Sequence, residues 1–147
     1  CTPECETVQV VTIDELVAGQ QIDLLKIDIE GYEFFALKGA RAALVNNPGI
    51  NIITEYCPAT LMEAGAMPGT FLSYLAELGF HPATLDGKAV NMQQLQHDAA
   101  LYESYGAQRF VQDCKGKSNP EILELVITIS AQLGCQRPIL ENLIFAR

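Results

Sequence analysis

Apolar residues along the chain fall into short dense runs separated by stretches that repeat at helical spacing. Ile22 to Ile29 (IDLLKIDI) is dense in Leu and Ile with one Lys, the mark of a strand buried on both faces of a parallel sheet. It ends at Glu30-Gly31, after which Phe34, Leu37, Ala40 and Leu44 recur at helical spacing until Asn46-Asn47-Pro48-Gly49 stops the helix. Upstream, the β-branched stretch Val8 to Val11 reads as a strand. Thr12 and Asp14 can cap a single helical turn over Glu15-Leu16-Val17, which Gly19 closes.

The pattern then repeats. Ile50 to Tyr56 (INIITEY) is a second buried strand, Pro58 opens a helical or irregular stretch, and Thr70 to Leu78 (TFLSYLAEL) is an amphipathic helix ended by Gly79. Phe80 to Leu85 is a third strand, and the Asp86-Gly87 turn sends Lys88 to Val90 back beside it. Met92 to about Lys117 is polar and reads as an excursion of helical and loop pieces. Asn119-Pro120-Glu121 starts a helix that places Ile122, Leu125, Val126, Ile129 and Leu133 on one face. Leu123, Leu125, Ile127 and Ile129 also alternate as in a strand, but the cap signals and the length favour helix. Ile139 to Ala146 (ILENLIFA) reads as the last strand. Alternating strands and helices joined by short loops give an α/β fold, with helices on both faces of a mostly parallel sheet.

Composition narrows the function. At 147 residues the chain is one domain's worth, and 49% apolar against 18% charged residues makes it globular. Nine basic against eighteen acidic residues, a net charge of −9, argue against nucleic acid and anionic lipid. No apolar run approaches the ~20 residues a membrane helix needs, and no signal segment is visible at the start. Five cysteines (Cys1, Cys5, Cys57, Cys114, Cys135) show no CxxC and no Cys/His ligand pattern. They read as thiols of a reducing cytoplasm, with Cys1 and Cys5 the one pair near enough in sequence for a small terminal bridge.

Reactive groups in open α/β sheets gather at the carboxyl ends of the strands. The first buried strand ends in Asp28, Glu30 and Glu33 and the second in Glu55. Asp28 and Glu30 fall on one side if the extended backbone persists through Glu30. Such carboxylates can hold a divalent cation, act as a general base toward a hydroxyl, or bind an amine or a ribose hydroxyl. Glu30 and Glu33 can equally serve the N-terminus of the following helix. No phosphate loop and no nucleophile elbow occurs, and His81 and His97 lack partners at ligand spacing. Tyr102 and Tyr105 are expected to pack on the core.

Ile22-Asp23-Leu24-Leu25-Lys26-Ile27-Asp28-Ile29-Glu30-Gly31-Tyr32-Glu33, followed by Leu37-Lys38-Gly39-Ala40, resembles the signature of the FkbM family of methyltransferases. Val11 to Leu16 is similar to that family's TLDxL segment, Ile53-Thr54-Glu55-Tyr56 to its next acid-bearing strand, and Glu141 to Arg147 to its last strand. The resemblance covers residues 8 to about 90 and about 138 to 147, leaving about 92–137 as an insertion. It implies a Rossmann-like class I sheet with an antiparallel last strand and S-adenosylmethionine as methyl donor. A hydroxyl of a sugar or natural product would be the acceptor, with Asp28, Glu30 and Glu55 at the reacting centre. The family's glycine-rich first turn, and the acid that holds the adenosine ribose, would precede residue 8. The chain is therefore expected to be a partial, incomplete methyltransferase domain that associates with itself through an exposed sheet edge. The competing expectation is a non-catalytic oligomerising α/β binding module.

Overall fold

The computed structural model describes residues 7–136 and 141–147. Its elements are α1 (Ile13–Val17), β1 (Leu24–Ile27), α2 (Glu33–Lys38), α3 (Arg41–Asn46), β2 (Asn51–Tyr56), α4 (Pro58–Glu63), α5 (Pro68–Glu77), β3 (His81–Thr84), α6 (Met92–Tyr105), α7 (Ala107–Cys114), α8 (Asn119–Leu133) and β4 (Glu141–Ala146). The four strands form one sheet in the order β1-β2-β4-β3. β1 and β2 pair in parallel from Leu24 opposite Asn51 to Ile27 opposite Thr54. β4 enters between β2 and β3 and runs antiparallel to both. The mixed α/β class is as expected, but only one of the three described pairings is parallel, because the last strand separates two strands that share a direction.

The core lies where the sheet meets α2 to α5. Leu37, Leu44, Ile52, Leu61, Leu72, Leu75 and Phe145 are all fully buried, and Phe71 stacks on Tyr56 at 5.8 Å and meets Phe145 edge-on at 6.2 Å. β2 earns its central place by alternation: Ile52, Thr54 and Tyr56 are buried, while Ile53 and Glu55 on the other face are half-buried.

Several expectations need correction. Val8 to Val11 is not a strand but exposed coil, Val10 being 90% accessible, since no described strand lies beside it to take its hydrogen bonds. The run from Ile22 to Ile29 is strand only over Leu24–Ile27 and is not buried on both faces. Leu24 is 54% exposed, because β1 is the sheet's margin. The helix at 119–133 forms as expected, but its cap is Ser118, whose N–H and hydroxyl both bond the Glu121 carboxylate at 2.8 and 2.6 Å.

The polar stretch after Met92 is less an excursion than a second layer. α6 packs on α5 and buries Leu95, Ala99 and Tyr102, and the Tyr102 hydroxyl lies 2.7 Å from Ser130 Oγ and donates to the Val126 carbonyl at 3.2 Å, tying α6 to α8. Buried Asp98 accepts the Gln136 N–H at 3.2 Å. Of the two tyrosines expected to pack on the core, Tyr102 is buried in it and Tyr105 is half-buried against it. Lys88 and Ala89 return beside β3 through the Thr84 N–H to Lys88 carbonyl bond and a bridge from Ala83 to Ala89. Cys57, Cys114 and Cys135 are free thiols, while the Cys1 to Cys5 bridge and the start of the last strand at Ile139 lie outside the described residues. Among the described residues no helix is long and apolar enough to cross a membrane.

Candidate functional site

The parallel register that ends with Ile27 opposite Thr54 brings Asp28, just past the end of β1, and Glu55 to the same end of the sheet. Beyond Ile27 the extended backbone does not persist. Glu30 takes a left-handed conformation (φ 53°) and Gly31 follows it (φ 98°), so the chain turns sharply into α2. Alternation therefore does not govern where Asp28 and Glu30 point. The turn is held by Glu33, whose carboxylate accepts the Ile29 N–H at 3.0 Å while being only 1% exposed. Glu33, at the first position of α2, thus serves the turn and the positive helix end, the structural role open to it from sequence.

The turn is pressed against the start of α4. A Cβ added at Gly31 would stand 2.2 Å from the Thr60 carbonyl oxygen, so only glycine allows this approach. It sets Glu30 at the mouth of a cleft of about 280 Å³ that Glu55, Cys57 and Thr60 also line. The far wall is apolar and comes from α7 and α8, through Phe110, Ile122, Leu123 and Val126.

Electrostatics in the cleft follow from crowding of like charges. Burial pushes the Glu55 carboxyl above its ordinary value, and the negative charges of Glu30, Glu33 and Asp28 push it further. Glu55 therefore feels the charges of both other acids expected at a reacting centre. The three are not equivalent, however. Glu30 and Glu55 line the cleft, while Asp28 sits outside its lining, half exposed, with its Oδ2 2.9 Å from Lys26 Nζ. Burial also pushes the Cys57 thiol up, which keeps it protonated and unsuited to nucleophilic attack. Among the described residues no three His, Cys, Asp or Glu side chains are grouped to hold a metal ion. His81 and His97 are exposed and away from the cleft lining.

The apolar wall is the part the sequence did not disclose. Ile122 and Val126 read as core positions of a helix, and Phe110 lay in a stretch read as peripheral. What could have signalled the wall is the moderate surplus of apolar residues around the α8 helix, where Leu123 falls off the buried face and faces the cleft.

The family model described as the methyltransferase FkbM domain matches residues 2–82, a span that contains β1, β2 and all three candidate carboxylates but neither α7 nor α8. No curated protein and no solved structure matches the chain.

Proposed function

The chain belongs to the FkbM methyltransferase family, and from that premise we propose that its carboxylate cleft receives a hydroxyl-bearing small molecule for methylation by S-adenosylmethionine. The observation that carries this reading is the convergence of Glu30 and Glu55, from two different strand ends, on one cleft, with Asp28 charge-coupled to them. A family match alone would leave these residues scattered.

Each carboxylate has a distinct task in this reading. Glu55, with its raised proton affinity, is the group suited to accept a proton from an acceptor hydroxyl, since a base titrating nearer neutral pH transfers protons more effectively. Glu30 faces the same cleft from a strained left-handed backbone, a conformation that costs a non-glycine residue on the order of 1 kcal/mol. It is placed to accept a second hydrogen bond from the acceptor and fix its orientation. Asp28 is held by Lys26 at the margin of the cleft. When bound, S-adenosylmethionine supplies a methyl group activated on a sulfonium cation, and the acidic rim of Asp28, Glu30 and Glu55 suits that positive charge. Alignment of the reacting atoms is then the largest contribution the protein makes.

The sheet supports the class I, Rossmann-like reading in one respect: the last strand is the one that runs antiparallel.

Titration calorimetry with S-adenosylhomocysteine tests the reading. Micromolar affinity, about −8 kcal/mol, is expected. Asp28→Ala should weaken S-adenosylmethionine, whose sulfonium charge Asp28 helps to meet, at least tenfold more than it weakens S-adenosylhomocysteine, which lacks that charge. The variant should keep its folding stability, since the Asp28 side chain is half exposed. Absence of heat at several hundred micromolar ligand would overturn the reading. Undiminished affinity in Asp28→Ala would remove that residue from the site.

A further inference from the structure

The cleft at Glu30 and Glu55 does not end at α8. It shares Thr60, Phe110 and Ile122 with a second, wider lobe of about 540 Å³ that runs between α4 and α7 toward Glu63 and Lys115. The two lobes adjoin at these shared residues, and α4, α7 and α8 together line them. The acidic end of this groove is built by the family-matched half of the chain and its apolar walls by residues beyond Pro82.

The lining has a strong gradient. At one end stand two carboxylates with no basic side chain among the lining residues of that lobe. Along the middle lie Phe110, Ile122 and Val126, with Val111 and Leu123 left 42% and 45% exposed on the rims. Large aliphatic side chains left open on the lining of a concave surface gain most when an apolar body covers them. Two carboxylates at one end and exposed aliphatic side chains along the lining match a small molecule with a polar head and an apolar body. An anionic end would meet Glu30 and Glu55, and the coupled charges of Asp28 and Glu33 behind them, so the occupant's polar end is uncharged or cationic.

We propose that this groove binds the apolar body of a non-anionic amphiphilic alcohol, with its hydroxyl at Glu30 and Glu55 and its tail between α4, α7 and α8. That the amphiphile is the methyl acceptor rests on the reading given under Proposed function; that the groove binds it does not.

The test uses the full chain and the neutral fluorophore N-phenyl-1-naphthylamine, displaced by 1-decanol or by decanoate at pH 8. Saturable enhancement of the fluorophore is expected, with decanol displacing it at no more than a tenth of the decanoate concentration. Val111→Asp and Leu123→Asp, both on exposed rims and so compatible with folding, should each weaken the fluorophore at least tenfold. Glu30→Gln combined with Glu55→Gln should narrow the gap between decanol and decanoate. Absence of saturable binding, equal displacement by decanoate, or full affinity in both rim variants would overturn the proposal. Fluorophore binding without affinity for S-adenosylhomocysteine would overturn methyl transfer and leave the groove standing. The converse result would overturn the groove alone.

Discussion

A methyl group on residue 31 would have to occupy the space of the Thr60 carbonyl oxygen, 2.2 Å from the ideal Cβ position, on a backbone already at φ 98°. Neither partner is a flexible side chain end, so the turn or α4 must move. Gly31→Ala is expected to cost roughly 3 kcal/mol, the sum of a left-handed alanine and a backbone displacement. Urea unfolding measures it, and a loss below about 1 kcal/mol would show that the turn does not press on α4 as described. The same turn shows the reach of sequence reasoning at this scale. Asp28, Glu30 and Glu55 were all legible as strand-end acids, because strand ends are where such sheets place chemistry. What was not legible is that Glu30 itself adopts the left-handed conformation, beside the glycine that follows it. That one backbone angle turns Glu30 into the cleft and leaves Asp28 on the margin with Lys26.

At the scale of elements, α3 begins without a side-chain cap of its own at Ala40. Asp14, at the second position of α1, supplies it from a distance: its carboxylate accepts the Ala43 N–H at 2.8 Å and the Ala42 N–H at 3.0 Å. Sequence alone suggested Asp14 as a local cap, together with Thr12, for its own short helix. Thr12 does cap α1, bonding the Glu15 N–H at 3.1 Å, whereas the Asp14 side chain works on α3, a tertiary contact that local spacing cannot reveal. Asp14→Ala should therefore destabilise the whole domain by about 1–2 kcal/mol, with a matching loss of amide protection at Ala42 and Ala43 in hydrogen exchange. Protection lost only within α1 would contradict the long-range cap. Helix α6, in a polar stretch, was read only as helical and loop pieces. Helix α8 was legible because its start signals, Pro120 and Glu121, are local, although the capping residue is Ser118. The segment Val8 to Val11 was misread for the opposite reason, since its β-branched residues express a propensity that only a neighbouring strand can realise.

Across the whole molecule, β1 has β2 as its one neighbour among the described strands and leaves Leu24 exposed. Unpaired strand edges with apolar side chains are sites of association. We propose that a second copy relieves this edge, for which static light scattering should return about twice 16.0 kDa for the native chain and the single mass for Leu24→Lys; the single mass for the native chain would remove the proposal. The acidic site itself depends on carboxylates from two strands being coupled, which requires that the sheet set β1 and β2 in the stated register. Carboxyl carbon chemical shifts of Glu55, followed by NMR through acid pH, report on it directly. A midpoint above that of an ordinary glutamate is expected, because burial and the neighbouring charges both favour the protonated form. It should fall toward the ordinary value in Glu30→Gln, which removes the first of those charges. An ordinary midpoint in the native chain, or one indifferent to Glu30→Gln, would contradict the site.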